Sequence, residues 1–273
     1  MSYIVTLLNQ KGGVGKTSTA YHLAGTLAKS GRSVLVIDND PQASLTQGFW
    51  GPQATRDIDA SRSVAALFDP GSVAIPSALV RPTGIEGVSI VPGSRHLTEA
   101  NMRPPSEWAE TQMGMSEFVE EAVLDFDVVL IDCPPNLHLC SWAALVASDS
   151  IVVPLQAEDF GSQGLAPVQE AVAAVQAGPN RHLRLQGYLL TMFDKRLTVH
   201  VSYEALLREM YGDEVFAASV PRAKDFIEAV AARVPISHYK PKSAAAKAIQ
   251  AVADELVARL SSRREVGAER GAA

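Results

Sequence analysis

From the first residues onward, short apolar runs alternate with longer stretches of helical periodicity. Residues 3–8, 33–37, 88–91, 128–131, 151–155 and 185–190 are apolar nearly throughout. That is the pattern of strands buried on both faces. Between them Ala20, Leu23, Ala24, Leu27 and Ala28 recur at helical spacing, predicting a helix over 17–30 that Gly31 ends. Residues 116–124, 165–176 and 202–210 also read as helices, and 243–260 as an Ala-rich one. Apolar strands separated by helices predict an α/β fold, a mostly parallel twisted sheet with helices on both faces. Residues 48–86, rich in Gly, Pro, Ser and Asp, and residues 92–112, with Pro104 and Pro105, read as surface insertions with some helix. One domain is expected over 1–260, followed by a polar, flexible tail over 261–273.

Composition narrows the class. With 47% hydrophobic and 20% charged residues in 273, global disorder and a coiled-coil rod are excluded. No apolar run reaches the ~18 residues of a membrane helix. The start, MSYIVTLLNQKGG, has neither a basic leading segment nor a small-residue cleavage site, so no signal peptide is expected. Two cysteines, Cys133 and Cys140, are too few for a disulfide framework and fit a reducing cytoplasm. The net charge of −6 argues against a wholly basic nucleic-acid binder. Yet residues 1–194 hold 11 Lys and Arg against 20 Asp and Glu, whereas 195–273 hold 13 against 10. The last third therefore has room for a local basic face.

Candidate chemistry begins between the first strand and the first helix, at Lys11-Gly12-Gly13-Val14-Gly15-Lys16-Thr17. Glycines let backbone wrap a phosphate without Cβ clashes, and a helix N-terminus adds oriented N–H groups. Lys16 is placed to bridge β- and γ-phosphates, and the Thr17 hydroxyl to ligate Mg²⁺. The general phosphate-loop pattern wants Gly at position 10, where this chain has Gln10, so the motif is a variant with an additional leading lysine. Asp38-Asn39-Asp40-Pro41-Gln42 then closes the second strand with two carboxylates, at the sheet edge where α/β proteins bind ligands. Asp132 closes another apolar run ahead of Pro134 and Pro135, where an acid can hold Mg²⁺.

Taken together, these segments resemble the ParA family of partition ATPases, the deviant Walker A group of P-loop NTPases that also includes MinD and nitrogenase iron protein. Thr191–Arg196 is similar to the family's T-M-[FY]-D-x-R segment, Val220-Pro221-Arg222 to I-P-R, Glu228-Ala229 to the E-A that follows, and Tyr239 with Pro241 to Y-x-P. The resemblance implies slow hydrolysis of ATP with Mg²⁺. Lys11 would reach a partner's nucleotide across an ATP-dependent homodimer. Asp40 would position the attacking water; Asp38 and Asp132 would lie by the metal and its waters. Ser18 would bond the α-phosphate, and adenine would sit between Met192 and the Pro221-Arg222-Ala223 loop. It further implies non-specific binding to double-stranded DNA, a ParB-like activating partner, no membrane attachment, and a cytoplasmic, nucleoid-associated location. Candidates for the DNA face are Lys195, Arg196, Arg222, Lys224, Arg233, Lys240, Lys242 and Lys247.

Two departures bear on that face: Asp225 stands where relatives have Arg, and Arg233 where many have Gly. The alternatives are a ParA-like ATPase that positions a protein cargo and a MinD-like membrane-associated one. The last helix offers only Leu and Val as anchors for the latter. An iron–sulfur donor is disfavoured because Cys133 and Cys140 are only seven apart and Cys133 lies inside the Asp132–Pro135 segment, and a zinc site because two Cys and His138 leave a tetrahedron incomplete. The phosphate loop begins too early for a preceding helix-turn-helix, so operator binding is not expected.

Overall fold

The computed structural model describes residues 2–72, 74–107, 113–157 and 165–271. In chain order the elements are β1 (Tyr3–Leu7), α1 (Lys16–Lys29), β2 (Val34–Asp38), α2 (Ser44–Trp50), α3 (Pro76–Leu79), β3 (Arg81–Pro82), β4 (Val88–Val91), α4 (Thr98–Met102), α5 (Gly114–Ala122), β5 (Val128–Asp132), α6 (Leu139–Ala147), β6 (Ser150–Gln156), α7 (Ala166–Ala177), β7 (Arg184–Thr191), α8 (Thr198–Tyr211), α9 (Lys224–Ala231), α10 (Ile236–Tyr239) and α11 (Ala244–Gly271). The strands form one sheet in the order β3-β4-β2-β5-β1-β6-β7, parallel except at β3. Each predicted strand is present, and the helices cover both faces. One core packs α5, α6 and α7 against the sheet; the other packs α1, α10 and α11. The strand faces are buried on both sides, which is why the runs are continuously apolar.

Register positions the chemistry. In the parallel ladders Leu7 on β1 and Asp38 on β2 both pair with Asp132 on β5. The C-terminal ends of the three central strands are therefore level, and both acids lie at one edge, beside the loop that leaves β1.

The structure departs from the sequence pattern in three places. Residues 64–68, inside the expected surface insertion, form a buried 3₁₀ turn whose Val64, Leu67 and Phe68 join the core. The surrounding Gly, Pro and Asp masked this five-residue apolar run. Helix α6 has no sequence periodicity because nearly every residue is buried. Helix α11 continues to Gly271, although the last core position is Leu260. Good helix formers such as Arg, Glu and Ala extend the backbone pattern past the apolar face.

One buried histidine links the first helix to the C-terminal ones. His22 on α1 is fully buried, packs against Phe226, and accepts the Ile236 N–H at Nδ1 (3.1 Å). Burial pushes its pKa down to about 3. An unfolded chain takes up the proton near ~6.5, so folding opposes protonation and stability is lost as pH falls from there toward 3. Between pH 7.5 and 4.5 this group alone should cost about 2–3 kcal/mol. Urea unfolding across that range should show a shallower pH dependence in His22→Gln than in the wild-type protein. Parallel slopes would count against the assignment.

Candidate nucleotide site

Between β1 and α1 the loop folds back through two left-handed glycines, Gly13 (φ +78°) and Gly15 (φ +82°). A Cβ would strain both. Side chains from neighbouring strand ends hold this Gly-rich segment. Buried Asn9 donates from Nδ2 to the Pro154 carbonyl (2.8 Å) and accepts the Lys11 N–H at Oδ1 (3.0 Å). Gln156 at the end of β6 donates to the Gly13 carbonyl (2.9 Å), and the Thr191 hydroxyl at the end of β7 to that of Val14 (2.7 Å). Lys11, Gly12 and Gly13 are exposed, Val14 is buried, and Thr17 and Ser18 are half-buried.

The two lysines of the loop lie in different environments. Lys16 is buried, with its ammonium donating to the Lys11 carbonyl (3.1 Å). Burial lowers its pKa, and the charges of Asp132 and Asp40 oppose that shift. Lys11 projects from the exposed side of the same loop.

Two carboxylates, Asp132 and Asp40, act on Lys16, and a third, Asp38, lies behind them. Asp132 is fully buried and neither oxygen has a hydrogen-bond partner; burial, then repulsion from Asp38, holds its pKa well above the usual carboxylate range. The Thr17 hydroxyl and Lys16 pull it the other way. Asp38, also fully buried, accepts at Oδ2 from both the N–H (2.7 Å) and the hydroxyl (2.6 Å) of Thr46, while Oδ1 is unpartnered. Burial raises it to about 7 against those bonds. Asp40 accepts the Gln42 N–H at Oδ1 (2.8 Å), and burial raises its pKa while Lys16 lowers it. Three acids thus cluster at one sheet edge, and two of them act on the buried ammonium. Orphaned Asp132 oxygens beside the Thr17 hydroxyl are hard oxygen donors suited to a cation such as Mg²⁺.

The segments expected to enclose a base are neighbours. Phe193 pairs with Pro221 as an isolated bridge, its N–H donating to the Val220 carbonyl (3.0 Å). That sets Met192, with φ +51°, beside Pro221, Arg222 and Ala223. Met192 also touches the phosphate-loop support, because its sulfur accepts from Gln156 (2.9 Å).

The basic candidates divide. Lys240 is bound by Asp225 (2.9 Å) and Glu228 (2.5 Å), so it is an internal ion-pair partner rather than an open phosphate contact. Lys224 lies 3.7 Å from Glu228. Arg196, 89% exposed, pairs with Asp194 at 2.7 Å. Arg233 adopts φ +58°, a left-handed conformation that favours glycine, and its guanidinium lies against Gly51, where a Cβ would come within 2.3 Å. Lys195, Arg222, Lys242 and Lys247 are exposed and carry no ion pair among the described residues. Cys133 and Cys140 are buried free thiols.

Motif reading passed over Asn9, Thr46 and Gln156, and placed Thr191 in a motif without giving it a role. Their one sequence signal is a polar residue at or just past the end of an apolar strand or at the start of the next helix.

The family model of the AAA domain matches residues 2–185. The chain is 35% identical over 258 residues to the chromosome-partitioning ATPase Soj of Thermus thermophilus, covering 94% of this chain and 96% of that one. Among solved structures, cobyrinic acid a,c-diamide synthase from Mycobacterium smegmatis with bound ATP analog and magnesium superposes with a TM-score of 0.78 at 29% identity, over 96% of this chain and 97% of that chain. McdA from Cyanothece shares the fold, with a TM-score of 0.79 at 18% identity over 95% and 96% of the two chains. With level strand ends, a glycine loop and an acid cluster beside a buried lysine, this chain belongs to the Soj/ParA family of partition ATPases.

Proposed function

We propose that the protein hydrolyses ATP with Mg²⁺, closes into a homodimer when ATP is bound, and in that state binds double-stranded DNA without sequence preference. A ParB-like partner would then stimulate hydrolysis and release it, in the cytoplasm on the nucleoid. The observation that carries this reading is the division of labour within one loop: Lys16 buried among acids, Lys11 exposed at the rim. A buried ammonium serves the phosphates of its own subunit. An exposed one at the mouth is placed to serve a nucleotide across an interface, so that ATP favours the dimer to the extent that it contacts the dimer better.

In this reading Gly12 through Thr17 bind the phosphates, and Ser18 the α-phosphate. Asp132 and Thr17, with Asp38 beside them, would hold Mg²⁺, which would supply charge neutralisation to the phosphates. Asp40, fixed by the Gln42 N–H, orients the attacking water. Asp38 acts through Thr46, which ties the start of α2 to β2 and so shapes the turn that carries Asp40. Catalysis of this kind is mostly positioning and charge stabilisation, and turnover should lie well below the ~1–100 s⁻¹ of kinases.

Three measurements test it. Lys16→Ala should weaken Mg-ATP binding by about 10- to 100-fold, since it removes a charge-assisted contact, whereas Asp40→Ala should still bind ATP, stop hydrolysing and accumulate as dimer. Calorimetry and light scattering separate the two, and an Asp40→Ala protein that stays monomeric in ATP would overturn its role.

Lys11→Gln keeps much of the length and removes the cation, so it should lose ATP-dependent dimerisation or hydrolysis. Wild-type behaviour of Lys11→Gln, alone and mixed with Lys16→Ala subunits, would refute a function in trans.

In mobility shifts on two unrelated duplexes, the ATP form should bind both and the ADP form much more weakly. Arg196→Ala should reduce binding and flatten the dependence of log K on log salt by about 0.9 for each phosphate no longer neutralised. No shift at low salt would reopen the cargo-positioning and MinD-like alternatives, and preference for one duplex would contradict backbone-only binding.

A further inference from the structure

Helix α8 carries an apolar face that the described residues leave uncovered. Val199, Tyr203, Leu206 and Met210 follow at i, i+4, i+7 and i+11 and therefore lie along one stripe. Val199 is 50% exposed, Leu206 47% and Met210 45%, with Tyr203 half-buried at the margin. The helix meets the domain core through His200, Tyr203 and Leu207, so Tyr203 anchors the inner margin of the stripe. Val199, Leu206 and Met210 are the part the core does not use, and the 3.5-residue spacing of the stripe is that of a seam between two helices.

Charge along this helix is graded. Exposed Lys195 precedes its first turn, where Arg196 is offset by Asp194. Exposed Glu209, Asp213 and Glu214 close its far end, where Arg208 is spent on Glu204 (2.8 Å). A positive start, an apolar middle and a negative end complement a second copy running antiparallel. The stripe then meets itself across a two-fold axis, and Lys195 of each copy faces Glu209 and Asp213 of the other. The helix dipoles favour the same orientation, and a parallel pairing would oppose like charges.

We propose that this face of α8 is a nucleotide-independent contact between two copies of this chain, packed antiparallel. It uses none of the phosphate-loop residues. Combined with an ATP-dependent dimer, a second two-fold contact joins copies into an open chain.

Sedimentation velocity without nucleotide tests it apart from the ATP reading. The wild-type mass should rise toward the dimer with concentration. Leu206→Glu with Met210→Glu should remain monomeric while keeping the wild-type melting temperature and ATP turnover. Lys195→Glu alone, or Glu209→Lys with Asp213→Lys, should each weaken self-association by about tenfold. An equal mixture of those two charge variants should recover association, because each supplies the end that the other lacks. A wild-type protein that stays monomeric throughout the series would overturn the proposal. So would wild-type association in the Leu206→Glu/Met210→Glu variant, or a mixture of charge variants no better than its components.

Discussion

Two buried carboxylates in register, Asp38 on β2 and Asp132 on β5, are the constraint on which the rest of the site depends. Parallel pairing sets them opposite each other, and neither reaches water. Each is pushed toward its neutral form, chiefly by burial, and Asp132 is raised further by the charge of Asp38. The fold meets this cost locally. Thr46 supplies two hydrogen bonds to Asp38, and the Gly93 N–H donates to the Thr46 hydroxyl (2.9 Å), locking that side chain in place. Gly93 is obligatory there, because a Cβ would lie 2.8 Å from the Asp38 carboxyl carbon. Lys16 compensates part of the remaining charge, and the surplus of acids over buried cations is what a divalent cation relieves.

Rigidity in the glycine loop is borrowed. Its own residues supply almost no packing, so Asn9, Gln156 and Thr191 hold it by its main-chain polar groups from three strand ends. The segment around Met192 and Pro221 is tied to the same supports, because Met192 bonds Gln156 and Phe193 pairs with Pro221. The glycine loop and this segment therefore share their anchor points at the ends of β6 and β7, while Lys11 stands at the exposed rim.

On the outer surface, ion pairing decides which charges can act. Exposed pairs contribute little to stability, but they cancel fields. Asp225 and Glu228 pair Lys240, and Asp194 pairs Arg196, so the basic character of the last third rests on Lys195, Arg222, Lys242 and Lys247 more than its net charge suggests.

The sequence by itself determined the layered α/β class, the strands, the phosphate loop and the three acids. Short apolar runs bounded by turn residues fit doubly covered strands, and a Gly-rich turn between strand and helix has few other uses. It did not reveal the buried turn at 64–68 or helix α6, whose local composition carries no period. It also could not separate Lys240 from Lys195. That difference lies in which carboxylate, distant in sequence or close to it, the folded chain brings within reach. Tertiary structure alone decided that Asp38 and Asp132 share a register, that Thr46 and Gly93 brace them, and that Lys16 is buried while Lys11 is not. The physical reason is common to all of these. Residue type and spacing specify what a segment can bury, whereas the charge state and partners of a polar group depend on neighbours that only folding supplies.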